Sequence, residues 1–353
     1  MESRDRLTYI DGLRAIALLS VIAFSAIFPL MIELPARLTY LASGIDLFFA
    51  ISGFCLAYPW LSRVRAGSGL GLDPATYGAF LLRRFSRVAP AFYVALAVFA
   101  LLGMTAFGFP TAAGIVNGFS SQASREFFLD LAFLIPSHPV LDSSFWAVGV
   151  AARWYLVCPL LIALYVRSRW AFGVVAGALY GAYYFLAHGL VDLGTLPCFM
   201  AGVAAADVAI LRPAWSRYAW LGAAGAVGCG VWSAGISIDY GNPVWHAAAF
   251  FLVVTAGSPR ARRMLGFKPL VAFGVASYSI YLYQAPFIAW FEMQGVFPAL
   301  AAGWATSLGF VAWAMVELRV SSDPFRRRFE ARLSGVFPRV RRADPPATQA
   351  EAA

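Results

Sequence analysis

The sequence predicts an all-α membrane protein, a polytopic bundle of about ten transmembrane helices. Hydrophobic residues make up 61% of the 353 and charged residues 13%, where a soluble chain carries roughly 25% charge. The mean hydropathy is +0.71, and apolar runs long enough to cross roughly 30 Å of hydrocarbon recur along the chain. The arginines mark alternate connections between those runs.

Apolar runs predict helices near 10–28, 41–61, 88–107, 145–166, 170–187, 190–211, 219–236, 243–257, 270–291 and 299–318. The run over 243–257 is short for a span. With the N-terminus in the cytoplasm, 23 of the 27 basic residues fall in cytoplasmic connections or termini, against Arg37 and Arg125 on the other side. The positive-inside rule therefore predicts that both termini are cytoplasmic. Parity then requires 126–138 not to cross, so it is expected to lie at the outer interface or to re-enter. Residues 1–320 form one helical domain. The tail 321–353 is expected to carry a basic stretch on the inner leaflet and a disordered end.

The net charge of +9 is thus topological, and no nucleic-acid partner is expected. Cys55, Cys158, Cys198 and Cys229 lie in apolar runs without disulfide or metal spacing, so they read as small hydrophobes and no metal is expected. The first apolar run lacks a small-residue cleavage site and reads as an anchor.

Charge in the middle of a span costs about 2.5 to 3.5 kcal/mol, so each such residue is a functional candidate. Asp11 and Arg14, one turn apart in the first helix, either pair together or reflect an arginine snorkelling at a helix start. In GIDLFFAISGF, Ser52 and Gly53 suit a packing notch, while Asp46 needs an arginine partner or a wet cavity. Arg153 sits too deep to snorkel and should point into the bundle. Gln284 and Glu317 are less demanding, through a neighbouring helix and the interface respectively. Arg84 and Arg87 share one face at the entry to the third helix, which makes either a phosphate clamp or a positive-inside anchor.

In order, RLTYIDGLRAIALLSVIAF, GIDLFFAISGF, RRFSRVAPAFY, FWAVGVAARWYLVCPLL and SYSIYLYQAPF resemble the acyltransferase-3 family of membrane O-acyltransferases, over nearly the whole chain. The resemblance implies a ten-helix unit in a bacterial inner membrane. It also implies an acyl-CoA donor, acetyl-CoA above all, from the cytoplasm, and the hydroxyl of a surface or exported polysaccharide as acceptor. Arg84 and Arg87 would then bind CoA phosphates. The family's first helix carries an Arg, ten residues, then a His; Arg14 matches, and Ser25 stands at the His position. Its acidic position in the fourth helix reads Ala151 and Ala152, and its ninth-helix His reads Gln284.

Serine cannot supply a base near neutral pH. The expected catalytic group is therefore Arg14, Ser25, Asp46 and Arg153, with Asp46 nominated as the carboxylate held by Arg14 or Arg153, and Asp11, Ser52, Tyr281, Gln284 and Glu317 binding substrate or supporting the site. Arg14, Asp46 and Arg153 are expected to converge on one cavity. The alternatives are a degenerate relative acting as partner or regulator and, less favoured, a transporter. His138, His188 and His246 are expected in or near outer connections.

Overall fold

The computed structural model describes residues 7–27, 36–67, 69–70, 73–102, 129–133, 144–186, 190–233 and 241–320, and among them there is no strand. The helices are α1 (Thr8–Ile27), α2 (Gly44–Arg65), α3 (Pro74–Leu102), α4 (Phe145–Arg167), α5 (Arg169–Phe185) and α6 (Val191–Leu211). They continue as α7 (Ala219–Ser233), α8 (Pro243–Ala256), α9 (Pro259–Leu265), α10 (Lys268–Val275), α11 (Ser277–Met293) and α12 (Pro298–Ala312). A π-helical turn over Trp313–Glu317 follows α12 and leads into a last helical turn, Leu318–Val320.

Among the described residues, five stretches are long and apolar enough to cross a bilayer: Thr8–Ile27, Tyr40–Arg65, Phe145–Arg167, Val191–Leu211 and Pro298–Glu317; Ala219–Trp232 and Pro243–Ala256 are shorter apolar helices. Large side chains such as Trp170, Phe185 and Trp232 lie fully on the outside, which suits acyl chains and not water. This is an integral membrane protein. The α2 window is 67% buried and that of Pro298–Glu317 only 17%, so α2 is the central post and α12 a peripheral one.

Backbone approach organises the post. A Cβ on Gly53 would sit 2.1 Å from the Phe199 carbonyl oxygen, and one on Gly202 would sit 2.0 Å from that of Ala50. Each glycine thus lets α2 and α6 touch along their backbones, as small residues do in lipid. Gly274 does the same for α10 against Asp11 of α1, where a Cβ would lie 1.7 Å from the carbonyl oxygen. Pro59, Pro90, Pro159, Pro197 and Pro286 sit inside continuous helices, a use tolerated where neighbouring helices satisfy the freed carbonyls.

Basic residues gather at one end of the bundle. Asp207 at the end of α6 accepts from Arg65 at 2.8 and 3.1 Å, from Arg169 at 2.7 Å and from the Tyr165 hydroxyl at 3.0 Å. Arg262 of α9 lies over the Tyr9 ring of α1 at 4.9 Å. The start of α1, the end of α2 and the start of α5 therefore share this arginine end with α9.

Three boundaries differ from expectation. The third helix begins at Pro74, because Asp73 caps it through bonds from the Ala75 and Thr76 amides. The predicted 270–291 helix is two helices, α10 closing where the Ala276 amide bonds back to Ala272. The final helix widens into the π turn before Glu317. Of the segment 126–138, residues 129–131 form a helical turn, and Phe133 packs on Phe92 at 4.8 Å; residues 126–128 and 134–138 and the tail 321–353 lie outside the described residues.

Candidate active site

A cavity of about 180 Å³ opens between α1, α2, α3, α4, α10, α11 and the π turn. Its α2 wall is the stripe Ile45, Phe48, Phe49, Ser52, Cys55 and Leu56, positions that recur on one helical face. From α1 comes Arg14, from α3 Arg84 and Arg87, from α4 Ala147, Val148, Ala151 and Tyr155, and from α11 Ser277, Tyr278 and Tyr281. Glu317 completes the wall and is its one carboxylate among the described residues.

Several of the polar groups are held. Arg14 donates to Asp11 Oδ1 at 2.9 Å and to Cys55 Sγ at 3.4 Å. Ser279 Oγ donates to Glu317 Oε1 at 2.8 Å, which fixes a carboxylate that the π turn aims inward; π turns concentrate at functional sites. Tyr278 OH donates to the Val88 carbonyl at 3.2 Å and ties α11 to the arginine helix α3. Arg84 lies over the Phe80 ring at 5.8 Å, and Arg87 is exposed. Three guanidiniums against Glu317 and the partner of Arg14, Asp11, leave an excess of positive charge, and the exposed Arg87 puts part of it at the mouth. Such a site attracts an anion, and guanidinium pairs match phosphate geometry.

The expected convergence of Arg14, Asp46 and Arg153 does not occur. Helical phase is the reason. Ile45 and Ser52 are seven residues apart and share a face, but Asp46 and Ser52 differ by about 120° around the helix. Asp46 accordingly turns to the opposite side of α2, where its Oδ1 lies 3.7 Å from His246 Nε2. Arg153 is likewise out of phase with Val148, Ala151 and Tyr155; it makes a two-pronged bond to Asp192 at the start of α6, both distances 2.8 Å. Ser25 is half-buried and Gln284 buried at 2% exposure, and neither lines the cavity. Gln284 Oε1 has no hydrogen-bond partner among the described residues. Ser52 does line the cavity while its neighbour Gly53 forms the packing notch against α6, so both uses of that pair are present on adjacent faces.

Sequence reasoning passed over Tyr155, Tyr278 and Cys55, which carried no charge to draw attention. It also missed the contact between His246 and Asp46; a histidine placed one turn into an apolar helix was the available signal. His138 and His188 lie outside the described residues.

The sequence model described as "Acyltransferase domain", acyltransferase 3, matches residues 7–316. The chain belongs to the acyltransferase-3 family. Its relatives include the peptidoglycan O-acetyltransferase OatA of Listeria monocytogenes serovar 1/2a, 26% identical over 175 residues, 47% of this chain and 25% of that protein. "Protein 2 in picA locus" of Rhizobium radiobacter is 29% identical over 171 residues, 47% of this chain and 83% of that one. The alignment with OatA thus spans a quarter of OatA's length. No solved structure matches the chain.

Proposed function

We propose that this acyltransferase-3 protein moves an acetyl group from acetyl-CoA, supplied from the cytoplasm, to a hydroxyl of a surface or exported polysaccharide. In this reading it crosses a bacterial inner membrane about ten times with both termini cytoplasmic, so that the arginine end faces the donor. The observation that carries the proposal is the meeting of Arg14 with Arg84 and Arg87, from two helices, in one cavity.

The cavity is smaller than the roughly 300 to 1,000 Å³ of sites that engulf a whole ligand. It therefore takes the acyl-pantetheine end, and the nucleotide phosphates stay at the mouth against Arg84 and Arg87. The acceptor oxygen attacks the thioester carbonyl carbon, the C–S bond breaks, and the hydroxyl proton ends on the CoA thiol. The Ser52 and Tyr281 hydroxyls supply donors for the charge that builds on the carbonyl oxygen. Glu317 is the carboxylate the cavity offers as a proton carrier, and Asp11 holds Arg14 in place. Ser25, on the Arg14 face of α1 and about 16 Å further along the axis, stands near where the acceptor would enter from the outer side.

The test is consumption of radiolabelled acetyl-CoA by the protein in proteoliposomes with a polysaccharide acceptor. Turnover is expected, and Ser25→His should raise it by supplying an imidazole. CoA binding without turnover in either protein would replace this reading with that of a degenerate partner or regulator.

A further inference from the structure

A second polar cluster lies on the face of α2 turned away from the cavity. Asp46 of α2, Cys198 of α6 and His246 of α8 are 2%, 0% and 2% exposed. Their carboxylate oxygen, thiol sulfur and ring nitrogen all lie within 4.8 Å of one another. His246 Nε2 is 3.7 Å from Asp46 Oδ1, and Cys198 Sγ is 3.1 Å from the Asp46 carbonyl oxygen. The other ring nitrogen, Nδ1, is 2.6 Å from the Tyr180 hydroxyl of α5.

We propose that Asp46, Cys198 and His246 bind one zinc-class divalent cation that ties α2, α6 and α8 together. Imidazole, thiolate and carboxylate are the donor set of zinc. A hydroxyl on the non-ligating ring nitrogen is the outer support that fixes a ligating histidine's tautomer. Charge is the second reason. A dication with one thiolate and one carboxylate sums to zero, which suits a dry interior. On binding, Nε2 and the Asp46 carboxylate donate lone pairs, the Cys198 thiol loses its proton to the medium, and His246 stays neutral with Nδ1–H donated to Tyr180.

Metal–ligand bonds of about 2.0 to 2.3 Å place tetrahedral donors roughly 3.3 to 3.7 Å apart. The histidine and aspartate already stand at that spacing. The sulfur must turn from the Asp46 carbonyl and close by roughly 1 Å. Three protein donors leave a fourth position for a small ligand. The three come from separate helices, with Asp46 and Cys198 152 positions apart, so no spacing motif announces them.

The full chain, purified in detergent and dialysed against zinc-free buffer, should retain about one zinc per chain by mass spectrometry. Cobalt exchange should give the intense near-ultraviolet thiolate-to-cobalt band. Cys198→Ala and His246→Gln should each lose the metal and the band, while Cys229→Ser, at an exposed cysteine, should keep both. Wild-type protein without retained zinc, without the cobalt band and without a rise in melting temperature on adding zinc would overturn the proposal, leaving only the His246–Tyr180 hydrogen bond beside Asp46. Should Cys198→Ala fail to fold, the wild-type cobalt spectrum and His246→Gln decide. These readouts involve no acyl donor, so they stand or fall apart from the acyltransferase reading.

Discussion

The two faces of α2 differ in how they handle charge. One opens onto a cavity with three arginines, two of them without an ion pair among the described residues; the other packs a carboxylate, a thiol and an imidazole into a dry contact with α6 and α8. Lipid makes both arrangements costly, and each answers the cost differently. The open face leaves positive charge for a ligand to neutralise. The closed face sets its carboxylate against an imidazole and a thiol. In the proposed function the first face binds an anion, while the second packs α2 against α6 and α8.

The largest effect should come from blurring the boundary between them. Gly202→Leu would drive a side chain into the Ala50 carbonyl, at more than about 3 kcal/mol; no monodisperse protein is expected on size exclusion. Asp46→Asn removes the charge facing His246 and should lower the melting temperature in detergent, by about 1 to 3 kcal/mol of stability. An unchanged melting curve would mean that the closed face contributes no cohesion.

Arg153→Ala probes the comparison from outside both faces. Its pair with Asp192 is about a third exposed on each side, so it should cost about 1 kcal/mol or less. CoA affinity should not change, because the side chain points away from the cavity; a large loss of affinity would place Arg153 back in the site. The smallest effect is at Asp73. Bonds from the Thr76 hydroxyl, then from the Thr76 and Ala75 amides, hold its carboxyl below the usual carboxylate range. A lowered folded pKa means that the cap is intact above the unfolded value, about 3.9, and is lost as pH falls through the folded one. Hydrogen exchange in the first turn of α3 should quicken only in that acid window.

Composition and arginine placement made the helical membrane character legible, because lipid acts on every residue of a span. Arg14, Arg84 and Arg87, which line one cavity, stood out in the sequence as candidates because charge in a span and a repeated face are sequence properties. The separation of Asp46 from Ser52 was also present, in their six-residue spacing, but the cost of a buried carboxylate drew more weight than its phase. What stayed hidden depends on contacts between helices. Asp192, an acidic residue at a helix start, gave no sign that it would capture Arg153, and His246, conspicuous in its apolar helix, gave no sign of which residue it would face. The break at Ala276 and the π turn before Glu317 follow from packing against α1 and α11, which local propensity does not encode.

In the proposed function the guanidiniums on the open face bind the phosphates of an acyl donor. Calorimetric titration of CoA and of pantetheine into wild-type protein and the Arg84→Ala, Arg87→Ala double variant tests it most directly. CoA affinity should fall roughly 10- to 100-fold in the variant, with pantetheine affinity and melting temperature unchanged; equal CoA affinity in the two proteins would contradict it.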